Sequence, residues 1–246
     1  MIRFLSVATF VILFLIFSIP LLIFEWILGK FNMDLKNKTS LAIVNWAFRV
    51  CIFLSGTKVT VLGLENVPRD TAVLYVGNHR SYFDILLTYV RVVRPTGYVA
   101  KAEMRSYPLL SNWMRNLHCL FLDRKDIKKG LKTILEGVEK VKSGISICIF
   151  PEGTRNREAD TFLPFHDGSF KIAERANCPV VTMTINNSAA IFEDYFPKLR
   201  IKKAHVVIEY GTPFYINDLE KEDRKQIGNY VSSLIQNTYA KNKELV

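Results

Sequence analysis

The stretch Ala72-Val73-Leu74-Tyr75-Val76-Gly77-Asn78-His79-Arg80-Ser81-Tyr82-Phe83-Asp84 decides how this chain is read. Its first half is a short apolar run closed by a glycine, the pattern of a buried strand. From Tyr82 onward, Tyr82-Phe83-Asp84-Ile85-Leu86-Leu87-Thr88-Tyr89-Val90 reads as a buried helix. His79 therefore stands where a strand ends and a helix begins, with the Asp84 carboxylate one helical turn further on. An imidazole oriented by a carboxylate can take a proton from a hydroxyl near neutral pH. The same residues also fit a plain strand end, with Ser81 capping the helix and Asp84 in its first turn. The fragment alone leaves both readings open.

Outward from this stretch, short apolar runs alternate with longer amphipathic ones. The strand candidates are Lys58–Leu62, Ala72–Val76, Tyr98–Ala100, Cys119–Leu122, Ile145–Phe150, Val180–Ile185 and Val206–Tyr210. The clearest helix runs from Asp126 to Lys142, with Ile127, Leu131, Ile134, Leu135, Val138 and Val141 on one face, and Gly144 stops it. Phe170–Ala176 and Asp218–Tyr239 are further helix candidates. This alternation predicts an α/β layered domain, with a central, mostly parallel sheet flanked by helices. His79 then follows one strand, Lys101 another, Asp123-Arg124 a third and Pro151-Glu152-Gly153-Thr154-Arg155 a fourth. If these strands run parallel, all four clusters meet at the carboxyl edge of the sheet, where open α/β folds bind ligands.

The N-terminus has a different character. No charged residue occurs from Phe4 to Phe24, and at about 1.5 Å per residue such a run matches a hydrocarbon core of about 30 Å. It exceeds a usual signal core and no small-x-small cleavage site follows, so an uncleaved anchor is expected, with Trp26 at the interface. A second apolar stretch, Leu41–Leu54, contains Asn45, Trp46 and Arg49 and looks too short to cross; it fits an interfacial or re-entrant helix. Pro20 would kink the first helix, which leaves a full span and a hairpin in one leaflet both open. Residues 1–56 are thus expected to form a membrane-associated helical hairpin and residues 57–246 the catalytic domain. Lys30, Lys36, Lys38 and Arg49 lie after the first segment, so the positive-inside tendency places the catalytic domain towards the cytoplasm.

Among the 246 residues, 33 Lys and Arg stand against 23 Asp and Glu, which favours polyanionic partners: an anionic bilayer face, phosphorylated substrates or acidic proteins. No recognition-helix or aromatic-rich RNA-binding pattern accompanies the charge, so no nucleic-acid partner is expected. The four cysteines, Cys51, Cys119, Cys148 and Cys178, are scattered through apolar runs and read as small buried hydrophobes in a reducing compartment. Their spacing suits no metal.

Four blocks now carry a resemblance. Asn78-His79-Arg80-Ser81-Tyr82-Phe83-Asp84 is followed by Phe121-Leu122-Asp123-Arg124, then by Phe150-Pro151-Glu152-Gly153-Thr154-Arg155, then by Cys178-Pro179-Val180-Val181. In order and spacing, over roughly residues 55 to 215, they resemble the glycerolipid acyltransferases typified by lysophosphatidic acid acyltransferase. The fourth block departs from the family, with Thr182 and Met183 where a second proline is often found. That departure bears on acyl-chain preference and donor fit more than on the reaction.

The resemblance implies transfer of a fatty acyl group from a thioester, acyl-CoA or acyl-carrier protein, to the free hydroxyl of lysophosphatidic acid, with no other cofactor. His79 is then the general base and Asp84 fixes its tautomer. No acyl-enzyme is needed, because no serine or cysteine shows nucleophile-elbow spacing. Arg155 and Arg124 are candidates to hold the acceptor phosphate, since guanidinium matches phosphate oxygens in bidentate fashion. The block Glu152-Gly153-Thr154-Arg155 is associated with acceptor binding in the family. Glu152 is expected on a glycerol hydroxyl or bracing Arg155, and Gly153 admits close backbone approach. Lys101 adds positive charge, and an Arg124–Asp123 salt bridge is the plain alternative for Arg124. No role is assigned to His118, His166 or His205. The rival acceptors are another lysophospholipid, a lyso-aminolipid and glycerol 3-phosphate. The rival classes are a serine ester hydrolase using Ser81 and a non-catalytic lipid-binding protein.

Overall fold

The computed structural model describes all 246 residues. Three helices open the chain: α1 (Ile2–Phe17), α2 (Ile19–Phe31) and α3 (Met33–Ser55). The break between α1 and α2 falls at Ser18, just before Pro20, and bends the pair by 49°. Asn32 caps α3 by accepting the Leu35 N–H at 2.9 Å. Gly56, at φ +72°, ends it in the left-handed region that L side chains avoid. At 23 residues, α3 extends well before the apolar stretch Leu41–Leu54 and is itself long and apolar enough to cross a membrane. Counting only the apolar core makes that stretch look too short, whereas the Asn32 cap adds two more turns. The α1–α2 pair reaches the same length and composition only when taken together.

All seven predicted strands form, as β1 (Lys58–Leu62), β2 (Leu74–Gly77), β3 (Thr96–Lys101), β4 (Leu120–Leu122), β5 (Ser146–Ile149), β6 (Val180–Asn186) and β7 (His205–Tyr210). They make one sheet in the order β1-β7-β6-β2-β5-β3-β4. Strands β6, β2, β5, β3 and β4 are parallel. Only the β6–β7 junction is antiparallel, so β1 and β7 run the other way. The ends of β2, β5, β3 and β4 therefore share one edge, as the alternation predicted.

Helices α4 (Phe83–Tyr89), α5 (Leu110–Asn116), α6 (Ile127–Lys142), α7 (Lys171–Ala176), α8 (Lys221–Lys225) and α9 (Ile227–Asn242) complete the fold. Successive β2 side chains point to opposite faces and so feed two cores. Val73 and Tyr75 join Val44 of α3, Phe83 and Leu87 of α4 and Trp113 of α5. Leu74 and Val76 join Val141 of α6, Ile172 of α7 and Ile235 of α9. The N-terminal helices thus belong to the α4–α5 layer, opposite α6, α7 and α9. The predicted helix Asp218–Tyr239 is two helices, because the chain leaves helical geometry at Gln226 (φ −120°, ψ 41°).

Candidate active site

His79 is fixed through its backbone before its side chain acts. The preceding Asn78 is buried and staples the end of β2 to β6: its Nδ2 donates to Ile185 O at 2.9 Å and its Oδ1 accepts from Ile185 N at 2.8 Å. His79 N donates to Glu152 Oε1 at 2.7 Å, and His79 O accepts from Asn156 N at 2.8 Å. The imidazole stacks on Phe150, centroids 4.4 Å apart and planes 16° from parallel. Its Nδ1 lies 2.8 Å from Asp84 Oδ2, with the His79 side chain 15% exposed and Asp84 wholly enclosed. The same Oδ2 accepts the N–H groups of Arg80 and Ser81, each at 2.7 Å. Asp84, in the first turn of α4, therefore orients the imidazole and also holds the turn before the helix, so its place in the first turn and its contact with His79 coexist.

Glu152 stands elsewhere than the sequence reading placed it. Its second oxygen accepts Leu163 N at 3.1 Å, so both oxygens hold backbone amides. It does not brace Arg155, which pairs with Glu193 instead. Burial pushes its carboxyl above the ordinary 4.5, against the opposing pull of the His79 and Leu163 N–H groups. The reason is topological: β2 and β5 are neighbours, so the residue after β5 sits beside the loop after β2.

Arg155 is braced by Glu193, a residue that no motif or spacing singles out. Glu193 lies in a short 3₁₀ turn, Glu193–Tyr195, beyond β6. Its Oε1 accepts from Arg155 Nη1 at 3.1 Å and from Tyr82 N at 2.8 Å, while its Oε2 accepts from Ser81 Oγ at 2.6 Å. The Arg155 guanidinium lies 3.5 Å over the Tyr82 ring. Ser81 Oγ is occupied on both sides, donating to Glu193 and accepting Phe83 N at 3.0 Å. It makes no hydrogen bond to His79, which removes the basis for a Ser81 hydrolase triad.

Arg124 rests against the turn that holds Arg155. Gly153, at φ +72°, takes a conformation L side chains rarely adopt, and a Cβ there would come within 2.9 Å of Arg124 Nη1 and 3.6 Å of His166 Cδ2. The Arg124–Asp123 salt bridge does not form. Asp123 Oδ1 instead accepts Lys125 N at 3.0 Å and Asp126 N at 3.3 Å, and its Oδ2 faces Lys129 Nζ at 3.9 Å. Arg124 is thus exposed and forms no salt bridge, and the nearby Glu103 carboxylate favours its charge against partial desolvation. Lys101, at the end of β3, and Thr154 are also exposed, and neither makes a side-chain bond to the His79 cluster.

The remaining histidines lie apart from the imidazole–carboxylate pair. His118 Nε2 meets Asn37 Oδ1 of α3 at 2.8 Å, and burial, reinforced by Lys140 and Lys36, pushes its pKa down to about 4. His205 Nε2 meets Thr60 Oγ1 at 2.8 Å. All four cysteines are free, three of them buried and Cys119 half-buried, and burial raises the Cys178 thiol to about 12. No cluster of His, Cys, Asp and Glu suited to a metal ion is present.

An imidazole–carboxylate pair and the guanidinium groups of Arg155 and Arg124 thus lie at the carboxyl edge of an α/β sheet. The family model described as Acyltransferase matches residues 58–186, just over half the chain. The chain belongs to that acyltransferase family and is an acyltransferase enzyme. A Mycoplasma pneumoniae protein described as "Probable 1-acyl-sn-glycerol-3-phosphate acyltransferase" is 31% identical over 204 residues, 77% of this chain and 74% of its own. The 1-acyl-sn-glycerol-3-phosphate acyltransferase of Borreliella burgdorferi is 25% identical over 213 residues, 85% of this chain and 81% of its own. The crystal structure of the 1-acyl-sn-glycerophosphate (LPA) acyltransferase of Thermotoga maritima superposes with a TM-score of 0.81 at 23% identity, covering 98% of this chain and 96% of that one. The fold is therefore shared along nearly the whole length, the N-terminal helices included.

Proposed function

We propose that this enzyme transfers a fatty acyl group from an acyl thioester to the free hydroxyl of lysophosphatidic acid, forming phosphatidic acid, at a membrane surface. One observation carries the reading: the His79–Asp84 pair shares a sheet edge with Arg155, whose guanidinium lies on the ring of Tyr82 from the His79 loop. With Nδ1 donating to Asp84, the lone pair of the imidazole rests on Nε2. As the acceptor oxygen bonds to the thioester carbon, its proton passes to Nε2. The tetrahedral intermediate collapses by breaking the carbon–sulfur bond, and the thiolate takes the proton back as it leaves. A positioned base of this kind contributes typically about 10²–10⁴-fold in rate. Arg155 and Arg124 supply the positive charge for the acceptor phosphate, and Glu152 and Gly153 build the turn that presents them. No cofactor enters this scheme, and either acyl-CoA or acyl-carrier protein satisfies its donor chemistry.

Residues 1–56 are the anchor in this reading and residues 57–246 the catalytic domain, facing the cytoplasm. The outer faces of α1, α2 and α3 expose Leu13, Phe17, Ile23, Phe24, Trp26 and Phe53, an apolar surface that a bilayer would cover. The acceptor and product partition into that bilayer, so an anchored enzyme meets both without extracting them. The test is acyl transfer from oleoyl-CoA and from acyl-carrier protein to a panel of lysophospholipids and glycerol 3-phosphate, with wild type and His79→Ala. Conversion of lysophosphatidic acid by wild type alone supports the reading. Preference for another acceptor, again lost in the variant, corrects the substrate, and equal rates in the two proteins refute the base.

A further inference from the structure

Beyond β6 the chain makes a closed loop whose ends are joined, Lys202 N donating to Ile191 O at 3.0 Å. Ile191 and Ile201 are buried at its base, whereas Phe196 through Arg200 are all exposed, Phe196 by 66% and Leu199 by 52%. Between and after these apolar tips stand Lys198, Arg200, Lys202 and Lys203, exposed and joined to no carboxylate; Lys202 lies 4.3 Å over the Tyr195 ring. The acidic residues facing the loop are accounted for. Glu193 is committed to Arg155, Ser81 and Tyr82, and Asp194 lies 3.9 Å from Arg80. The tip is therefore apolar and cationic at once.

Its position identifies what covers it. Phe192 stacks on Phe4 of α1, centroids 5.7 Å apart, and both Arg3 and Lys203 crowd Gly56 at the end of α3. The loop is thus continuous with the apolar face of the anchor, at the end where the anchor enters and leaves the domain. A contrasting exposed stripe, Ile127, Leu131 and Leu135 on α6, belongs to the opposite layer of the sheet and faces away from the anchor.

We propose that the loop spanning residues 192–203 is a second membrane contact, which seats Phe196 and Leu199 at the acyl boundary of an anionic leaflet with its lysines and arginine among the headgroups. The proposal rests on the membrane reading above. It follows that Glu193, at the root of the loop, holds Arg155 near headgroup depth, where the phosphate of a membrane-resident acceptor lies. Interfacial binding of this kind combines apolar insertion with attraction to anionic lipid.

The test uses the full chain reconstituted in vesicles, with Leu199→Cys carrying a bimane label and Leu131→Cys on the far layer as the control. The labelled wild-type chain corrects for its own cysteines. Nitroxide-bearing lipid is expected to quench the label at position 199 but not at 131, and more strongly in phosphatidylglycerol-containing vesicles than in pure phosphatidylcholine. Lys198→Glu with Arg200→Glu should weaken the seating by about fivefold for each basic residue lost. Equal quenching at both positions, or none at 199 in a chain that still sediments with vesicles, overturns the proposal while sparing the anchor. A chain that fails to sediment with vesicles overturns both.

Discussion

Asp84→Asn separates the charge of the carboxylate proposed to assist His79 from its geometry. A single oxygen, Oδ2, accepts from His79 Nδ1, Arg80 N and Ser81 N, while Oδ1 is buried without a partner. Three donors converging on one point force the substituted amide to place its carbonyl oxygen there and its NH₂ where Oδ1 was. Ring orientation and tautomer therefore survive, and only the negative charge is lost. Two opposite charges about 4 Å apart at an effective dielectric near 20 attract by about 4 kcal/mol. At 1.36 kcal/mol per decade, losing that stabilisation of the imidazolium in the transition state lowers kcat/KM by roughly 10³-fold. The buried, unpaired NH₂ costs about 1–3 kcal/mol of stability, partly offset because no charge is buried. The assay is steady-state acyl transfer beside thermal unfolding, with Asp84→Ala as comparator. Asp84→Ala also leaves the Arg80 and Ser81 amides unmet and is expected to be the less stable protein. Near-wild-type turnover in a folded Asp84→Asn would refute the electrostatic role and leave Asp84 as a brace for the turn before α4.

Glu193→Gln is expected to raise KM for a phosphate-bearing acceptor more than it lowers kcat, by freeing Arg155, with Glu193→Asp partly restoring it; equal loss with a phosphate-free monoacylglycerol would contradict this role. Glu152→Gln sets an NH₂ against one of two backbone donors and is expected to cost about 1–3 kcal/mol in denaturant unfolding and to depress kcat through His79. Because burial raises the Glu152 carboxyl, its contribution to folding is greatest at low pH and is lost as pH climbs through the raised value, so the wild-type-minus-Gln difference should shrink in the opposite direction to ordinary acid unfolding. His118 is held neutral, with a folded pKa of about 4 against an ordinary 6.5, so its stabilising contribution is full above 6.5 and is lost as pH falls through that window. His118→Asn, which tolerates the same left-handed backbone, should flatten that part of the melting-temperature profile.

What the sequence made legible follows from the range of each interaction. Strands show as apolar runs, and all seven appeared, yet β2 begins at Leu74 rather than Ala72. The ladder starts there because Val73 N is taken by the Ser146 hydroxyl at 3.1 Å, and Leu74 N is the first to find a strand-end carbonyl, that of Pro179. The break before α9 is equally non-local: Gly228 N donates to Asp167 Oδ1 at 2.8 Å, which lets a new helix start at Ile227. Clustering of His79, Glu152 and Arg155 was legible because parallel neighbours share an edge. Glu193 was not, since it reaches the site from a loop after β6 and no spacing ties it to the other blocks.

That missing residue completes a pattern around the base. The N–H of His79 goes to Glu152, those of Arg80 and Ser81 to Asp84, and that of Tyr82 to Glu193. Every amide from His79 to Tyr82 is thus committed to a carboxylate, and those of Phe83 and Asp84 go to the Ser81 hydroxyl and carbonyl. The loop is held rigid by three acids drawn from three different parts of the chain. It follows that the backbone around the base offers no N–H for the oxyanion of a tetrahedral intermediate, unlike the nucleophile turns of hydrolases, where such amides do that work. In the proposed mechanism, charge developing on the thioester oxygen then falls to a side chain, and Arg124, which forms no salt bridge although the Glu103 carboxylate favours its charge, is the candidate. Arg124→Ala should then lower kcat as well as weaken acceptor binding, whereas a pure phosphate ligand would raise KM alone. Turnover of Arg124→Ala at saturating acceptor distinguishes the two.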